Sequence, residues 1–254
     1  MFKTKKSLGQ NFLIDTSIVD RIIKSVDVKD NEKILEVGPG IGYLTKELKS
    51  FNSDLTCFEI DLDTKKYLDK LVDDKTKVIY KDFMQVDLNE YYNKDDKIHV
   101  IANIPYYITT PIIEKIIDSK LNILDMTLMV QKEVADRLSS KPKSSEYGYI
   151  TVYLNYYFEV NKLFNVDKSC FNPAPKVDSA IIQLKKKEKV KVNEEVFFKL
   201  IKDSFRLKRK NLRNNLKEYD LDKIKTILSN HGLSLTSRAE ELSLDVFIDI
   251  ANNL

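Results

Sequence analysis

Apolar residues along this chain come in two rhythms. Short, nearly unbroken runs end in loop-forming residues: Lys33 to Val37 before a glycine-rich turn, Leu55 to Ile60, Val78 to Tyr80, Ile98 to Ala102 and Leu124 to Val130. Such runs predict strands buried on both faces, as in a largely parallel sheet. Between and around them the period changes. Ile18, Val19, Ile22, Ile23 and Val26 recur at helical spacing after a Thr or Asp cap, and Ile112 to Ile117 and Gln131 to Leu138 also read as helices. Strands alternating with helices predict an α/β fold with a Rossmann-like sheet. Tyr149 to Val160 is ambiguous in period and divides into a helix and then a strand, with a last strand at Ala180 to Leu184. From Asn193 onward the pattern is helical. The expected division is an α/β domain over 1–186, with an N-terminal basic arm at 1–13 that has no regular period, and a small all-helical domain over 187–254.

Composition narrows the class. A chain of 254 residues, 43% hydrophobic, is large enough for one sizeable core and a small second domain. No apolar run approaches the ~20 residues of a membrane span, and the basic N-terminus lacks a signal-peptide core, so the expected location is the cytoplasm, with no membrane partner. Cys57 and Cys170 are far apart, with no CxxC or clustered His to hold a metal, so no metal is expected. His99 and His231 are isolated in sequence and suggest no acid–base pair. Nothing demands a partner copy, so a monomer is expected. Charge is the more telling property. Lys185 to Lys217 holds 13 Lys or Arg against 4 Asp or Glu, a balance of +9, so the rest of the +3 chain carries −6. A basic block on an acidic body predicts a surface for a polyanion. Within it Lys199, Lys202, Arg206, Arg209 and Arg213 step by three and four beside an apolar stripe of Phe197, Ile201, Phe205, Leu212 and Leu216, which predicts a helix that packs by one face and meets RNA phosphates with the other. Lys208 and Lys210 add to the candidate RNA contacts.

The turn after the first strand reads Glu36-Val37-Gly38-Pro39-Gly40-Ile41-Gly42-Tyr43. Glycines let backbone approach a ligand closely. A dinucleotide fingerprint needs its third glycine one place later, where Tyr43 stands, so a nicotinamide dehydrogenase is disfavoured. An acidic residue before the first glycine is typical of sites for S-adenosylmethionine. Glu59, ending the second strand, is the candidate ribose contact, and Asp82, after the third, the candidate acceptor for the cofactor's adenine amine. The alternative for each carboxylate is a helix N-cap.

The fourth strand ends in Asn103-Ile104-Pro105-Tyr106. The Asn103 amide oxygen and loop carbonyls beside an aromatic face suit a planar amine such as adenine, whose N6 carries two hydrogens to donate. Held by those acceptors, N6 presents its lone pair to a methyl donor; no strong base stands in the loop, so the proton leaves to water. The two-proline loop Phe171 to Ser179 offers a second exposed aromatic, and an extruded base is expected to stack between Tyr106 and Phe171.

Gly-Gln-Asn-Phe-Leu at 9–13, Glu-Val-Gly-Pro-Gly-Ile-Gly at 36–42, Asn-Ile-Pro-Tyr at 103–106 and Phe-Asn-Pro-Ala-Pro-Lys-Val-Asp-Ser at 171–179 together resemble the rRNA adenine N6,N6-dimethyltransferases, most closely the housekeeping small-subunit type. The resemblance runs from the arm through Leu216. It implies a class I methyltransferase sheet; S-adenosylmethionine contacts from Asn11, Leu13, Gly38, Glu59, Asp82 and Asn103; and a target adenine received by Asn103 to Tyr106. The implied activity is dimethylation of two adjacent adenines near the 3′ end of small-subunit (16S) rRNA in a pre-ribosomal particle, during ribosome biogenesis. Two alternatives stay open: a resistance-type large-subunit (23S) rRNA methyltransferase, and a non-catalytic ribosome-assembly factor on the same fold. Where the family commonly pairs two arginines, this chain has Lys208-Arg209, which loses one bidentate fork.

Overall fold

The computed structural model describes Lys5 and residues 10–254; Lys3, Lys6 and Gly9 of the expected arm lie outside the described residues. In chain order the elements are β1 (Phe12–Leu13), α1 (Thr16–Ser25), β2 (Lys33–Val37), α2 (Tyr43–Leu48), β3 (Asp54–Glu59), α3 (Lys65–Leu68), β4 (Thr76–Tyr80), β5 (Ile98–Asn103), α4 (Thr109–Asp118), β6 (Ile123–Gln131), α5 (Lys132–Leu138), α6 (Tyr149–Tyr157), β7 (Phe158–Val166), β8 (Phe171–Asn172), β9 (Ser179–Lys186), α7 (Glu194–Ser204), α8 (Leu212–Asn215), α9 (Leu221–Asn230) and α10 (Leu244–Asn253). The end of the expected arm is therefore a strand, β1, which pairs antiparallel with β8 through Phe12↔Asn172 and Leu13↔Phe171.

Seven strands form one sheet in the order β4-β3-β2-β5-β6-β9-β7. The pairs from β4 across to β6 are parallel, and β9 joins β6 antiparallel. The chain enters at β2, steps outward to β3 and β4, then returns to the other side of β2 as β5. That reversal leaves a crevice outside the carboxyl ends of β2 and β5, where open α/β sheets bind ligands. One face of the sheet packs on α1 and α2 through Ile18, Val19, Ile22, Leu44 and Leu48 against Ile34, Leu55, Cys57 and Ile101. Each fully buried side chain of this kind contributes about 1.5–3 kcal/mol.

The chain folds as two compact units: one runs to Ala135 and resumes at Asn161–Lys186, the other comprises Asp136–Val160 and Lys187–Leu254. A single cut after residue 186 therefore leaves out one feature, because the polar loop after α5 and helix α6 belong with the C-terminal helices. The reason is aromatic packing: Tyr153 and Tyr156 of α6 meet Phe197 and Phe198 of α7, and Tyr147 meets Phe205.

The expected basic helix is not continuous. α7 stops at Ser204, and α8 is a separate turn from Leu212. Neither Gly nor Pro marks the break. Buried Asn215 makes it, donating to the Ser204 and Leu207 carbonyls at 2.7 and 3.3 Å and accepting from Leu207 N–H at 3.2 Å. These bonds satisfy carbonyls that a longer helix would have used. Phe197, Ile201, Leu212 and Leu216 are buried as expected, while the cations from Arg206 to Arg213 lie on an exposed loop and the turn after it.

Candidate active site

The crevice is a cleft of about 280 Å³ lined by Gln10 to Leu13, Glu36 to Ile41, Phe58 to Ile60, Lys81 to Met84 and Asn103 to Ile108, among others. All six residues expected to hold the cofactor line it, as do Pro105 and Tyr106. Sequence order had left them up to 92 positions apart; the sheet reversal brings them together, since Gly38 follows β2 and Asn103 ends its neighbour β5.

Three anchors hold the N-terminal residues along the cleft. Asn103 Nδ2 donates to the Asn11 carbonyl at 3.3 Å. Phe12 lies over Gly40, whose φ of +60° is open mainly to glycine. Gln10 Nε2 and Lys5 Nζ both reach the Asp61 carboxylate, at 2.6 and 2.5 Å. Sequence reasoning did not pair Gln10 or Lys5 with Asp61, the second carboxylate at the end of the Leu55–Ile60 run. The Gly-Gln-Asn-Phe-Leu motif was the available signal, but their pairing across some 50 residues had none.

Glu59 is buried, and its two oxygens accept the backbone N–H groups of Asp61 and Gly40, each at 2.8 Å. Burial raises its pKa, and those two N–H groups pull it back toward the ionised form. The carboxylate thus ties the glycine turn to the end of β3 instead of capping a helix. Asp82 does cap, accepting from Met84 N–H at 2.9 Å and from Gln85 Nε2 at 3.2 Å, while it lines the cleft. Glu36 is fully enclosed beside Cys57, whose thiol donates to it at 3.4 Å; burial pushes its pKa up to about 7. Among the described residues lining the cleft, Glu36, Glu59 and Asp82 are acidic and Lys81 alone is basic. That balance fits a cationic cofactor such as a sulfonium and opposes a pyrophosphate.

Tyr106 is half-buried and its hydroxyl pairs with Ser179 Oγ, while Tyr107 beside it is 63% exposed. Phe171 corrects the sequence expectation. Its side chain is 3% exposed and packs in the core with Leu13, Ile18 and Ile181, because β8 pairs with β1. Its ring presents no open face to a base in this structure.

His99 is also not isolated. Buried at the opposite, amino end of the sheet, it bonds Asp125 through Nδ1 at 2.8 Å and Glu32 through Nε2 at 2.9 Å. His231 likewise pairs with Asp249, at 2.8 Å. Among the described residues no group of three or more His, Cys, Asp or Glu has the arrangement of a metal site, and no helix is long and apolar enough to cross a membrane.

The family model described as ribosomal RNA adenine dimethylase matches residues 1–254. The chain belongs to that family. It is an S-adenosylmethionine-dependent rRNA adenine dimethyltransferase. Among its relatives, the ribosomal RNA small subunit methyltransferase A of Fusobacterium nucleatum is 44% identical over 98% of this chain and 97% of its own length. The protein of the same name from Oceanobacillus iheyensis is 39% identical over 99% of this chain and 90% of its own. A dimethyladenosine transferase from Plasmodium falciparum superposes with a TM-score of 0.79 at 27% identity, over 94% of this chain and 95% of that one. The 23S rRNA methyltransferase ErmE shares the fold, with a TM-score of 0.76 at 24% identity over 96% of this chain and 99% of that one.

Proposed function

We propose that this dimethyltransferase acts in the cytoplasm, as a monomer, on two adjacent adenines near the 3′ end of small-subunit rRNA within a pre-ribosomal particle. The supporting observation is the cleft in which Asn103, Pro105 and Tyr106 stand beside Gly38, Glu59, Asp82, Asn11 and Leu13. Relatives that carry the small-subunit name over nearly their whole length favour this target over large-subunit rRNA.

S-adenosylmethionine, when bound, supplies an activated methyl group on a positively charged sulfur. Gly38 and the arm residues Asn11 and Leu13 hold its amino acid portion, Glu59 its ribose, and Asp82 its adenine amine. Asn103 commits its Nδ2 to the Asn11 carbonyl, so Oδ1 remains to accept a hydrogen from the target N6. A loop carbonyl before Pro105 accepts the other, which turns the nitrogen lone pair toward the methyl group. Catalysis is then positioning and electrostatics, with the proton released to water. Tyr106 stacks on the extruded base, and since Phe171 is buried this clamp has one aromatic wall rather than two. Lys199, Lys202, Arg206, Lys208, Arg209, Lys210 and Arg213, all exposed, meet RNA phosphates. Two are partly engaged: Lys199 with Asp203 at 2.9 Å, and Lys208 with the Ser145 carbonyl at 2.9 Å.

Transfer of labelled methyl to unmethylated small subunits and, separately, to large-subunit rRNA, followed by nucleoside mass spectrometry, tests the assignment. Dimethyladenosine appears in the small subunit only. Product confined to large-subunit rRNA overturns the target, and no product on either overturns the catalytic role.

A further inference from the structure

Ser179 is the last residue of the two-proline loop and the first of β9. Its side chain is fully buried, and its hydroxyl pairs with the hydroxyl of Tyr106, 73 residues earlier. Pairing of its backbone and of the residue before it with β6 and the start of α5 holds it in place. Ser179 sits opposite Gln131 in the β6–β9 ladder, and the carbonyl of the preceding Asp178 accepts Lys132 N–H at 2.9 Å. β6 in turn pairs with β5, whose last residue is Asn103. The serine is thus fixed to the same sheet that presents the amide.

Tyr106 stands on a much weaker support. It opens a short 3-10 turn after Pro105, and its carbonyl accepts a long 3.3 Å bond from Thr109 Oγ1. A tyrosine on such a turn has two free side-chain torsions. Fastening its far end to a strand fixes where the long axis of the ring points and leaves only rotation about that axis. The ordering cost is then met on folding rather than when the base arrives. Burial raises the phenol pKa above its ordinary value, with Ser179 pulling it the other way, so the hydroxyl remains neutral and able to bond.

We infer that Ser179 is a positioning residue for methyl transfer: through its hydroxyl it fixes the long axis of the Tyr106 ring beside the position of the target adenine. The inference rests on the reading that Tyr106 receives the base.

Four variants, Ser179→Ala, Tyr106→Phe, the double variant and Tyr106→Ala, are assayed on unmethylated small subunits, with S-adenosylmethionine affinity measured by calorimetry. Losing one hydrogen bond lowers kcat about three- to tenfold in Ser179→Ala and in Tyr106→Phe. Cofactor affinity is unchanged in both, and the double variant is no slower than the slower single one, because both remove the same bond. A merely structural serine would change cofactor affinity as well, or give effects that multiply in the double variant. Wild-type kcat in Ser179→Ala, or multiplying effects, overturns the inference. If Ser179→Ala shows no cooperative melting, Tyr106→Phe decides alone, and a normal kcat there overturns it. Tyr106→Ala separates the two readings. Its failure to transfer methyl while Ser179→Ala is normal overturns the role of Ser179 only, whereas wild-type transfer by Tyr106→Ala overturns the stacking reading and this inference together.

Discussion

The ring of Phe12 occupies the space that any side chain at Gly40 would need: a Cβ there comes within 2.6 Å of Phe12 Cε1. Gly40 also donates its N–H to Glu59. Gly40→Ala therefore pushes the N-terminal residues away from the cleft and strains a left-handed backbone position by about 1 kcal/mol. Cofactor affinity falls more than about tenfold by calorimetry, while the melting temperature falls by only a few degrees. Unchanged affinity would show that Phe12 yields freely.

Glu59→Gln tests the carboxylate that ties the glycine turn to β3. An amide offers one acceptor where two backbone N–H groups, those of Gly40 and Asp61, now point at oxygens. One of them then faces an NH2 group, a cost of about 1–3 kcal/mol. The expected result is about ten- to a hundredfold weaker cofactor binding, measured by the same titration.

Asn103→Ala tests the proposed acceptor for the target nitrogen: methyl transfer at saturating substrate is expected to fall by about a hundredfold. Single-turnover assays separate this loss from slow product release. Near-normal turnover would rule out the amide as the group that orients N6.

At the amino end of the sheet, His99 makes stability depend on pH. Burial alone lowers its pKa, but the bonds and charges of Asp125 and Glu32 outweigh burial and raise it above the ordinary 6.5. Glu32 moves the other way: burial raises it, and the Lys29 N–H and His99 lower it overall, below 4.5. The histidine's contribution is complete below pH 6.5 and disappears as pH rises through its folded pKa; that of Glu32 is present above 4.5 and disappears as pH falls through its folded pKa. His99→Gln therefore destabilises most near pH 6, by about 3 kcal/mol, and least at high pH. Urea titrations from pH 5 to 9 check this; a pH-independent difference would exclude the ion pairs as its cause.

Much of the fold and cleft was legible because local pattern governs it. The apolar runs at 34–37, 55–60 and 98–102 became adjacent parallel strands, and the glycines and prolines that end them became the cleft lining. What was not legible depended on partners far away in sequence. His99 met carboxylates 67 and 26 positions distant. Phe171 looked exposed because its loop carries two prolines, yet pairing with Leu13 buried it. The basic segment kept its helical period through residue 213, but one buried asparagine side chain ended the helix nine residues earlier.

Asn215→Ala tests that last point. It leaves the Ser204 carbonyl and the Leu207 peptide without their side-chain partner, at a cost of about 2–3 kcal/mol in denaturant unfolding. Binding of S-adenosylmethionine to the other unit is unaffected.

The sheet also sets an order of construction. Phe12 and Leu13 find their partners only at Phe171 and Asn172, and β9, the strand between β6 and β7, ends at Lys186. A nascent chain that has already released every strand from β2 to β6 still lacks the partner of β1 and the serine opposite Tyr106. Until β9 is released, β6 has no strand to pair with on that side. An rRNA methyltransferase of this topology thus completes its own sheet only late in its synthesis, on a ribosome that is already finished.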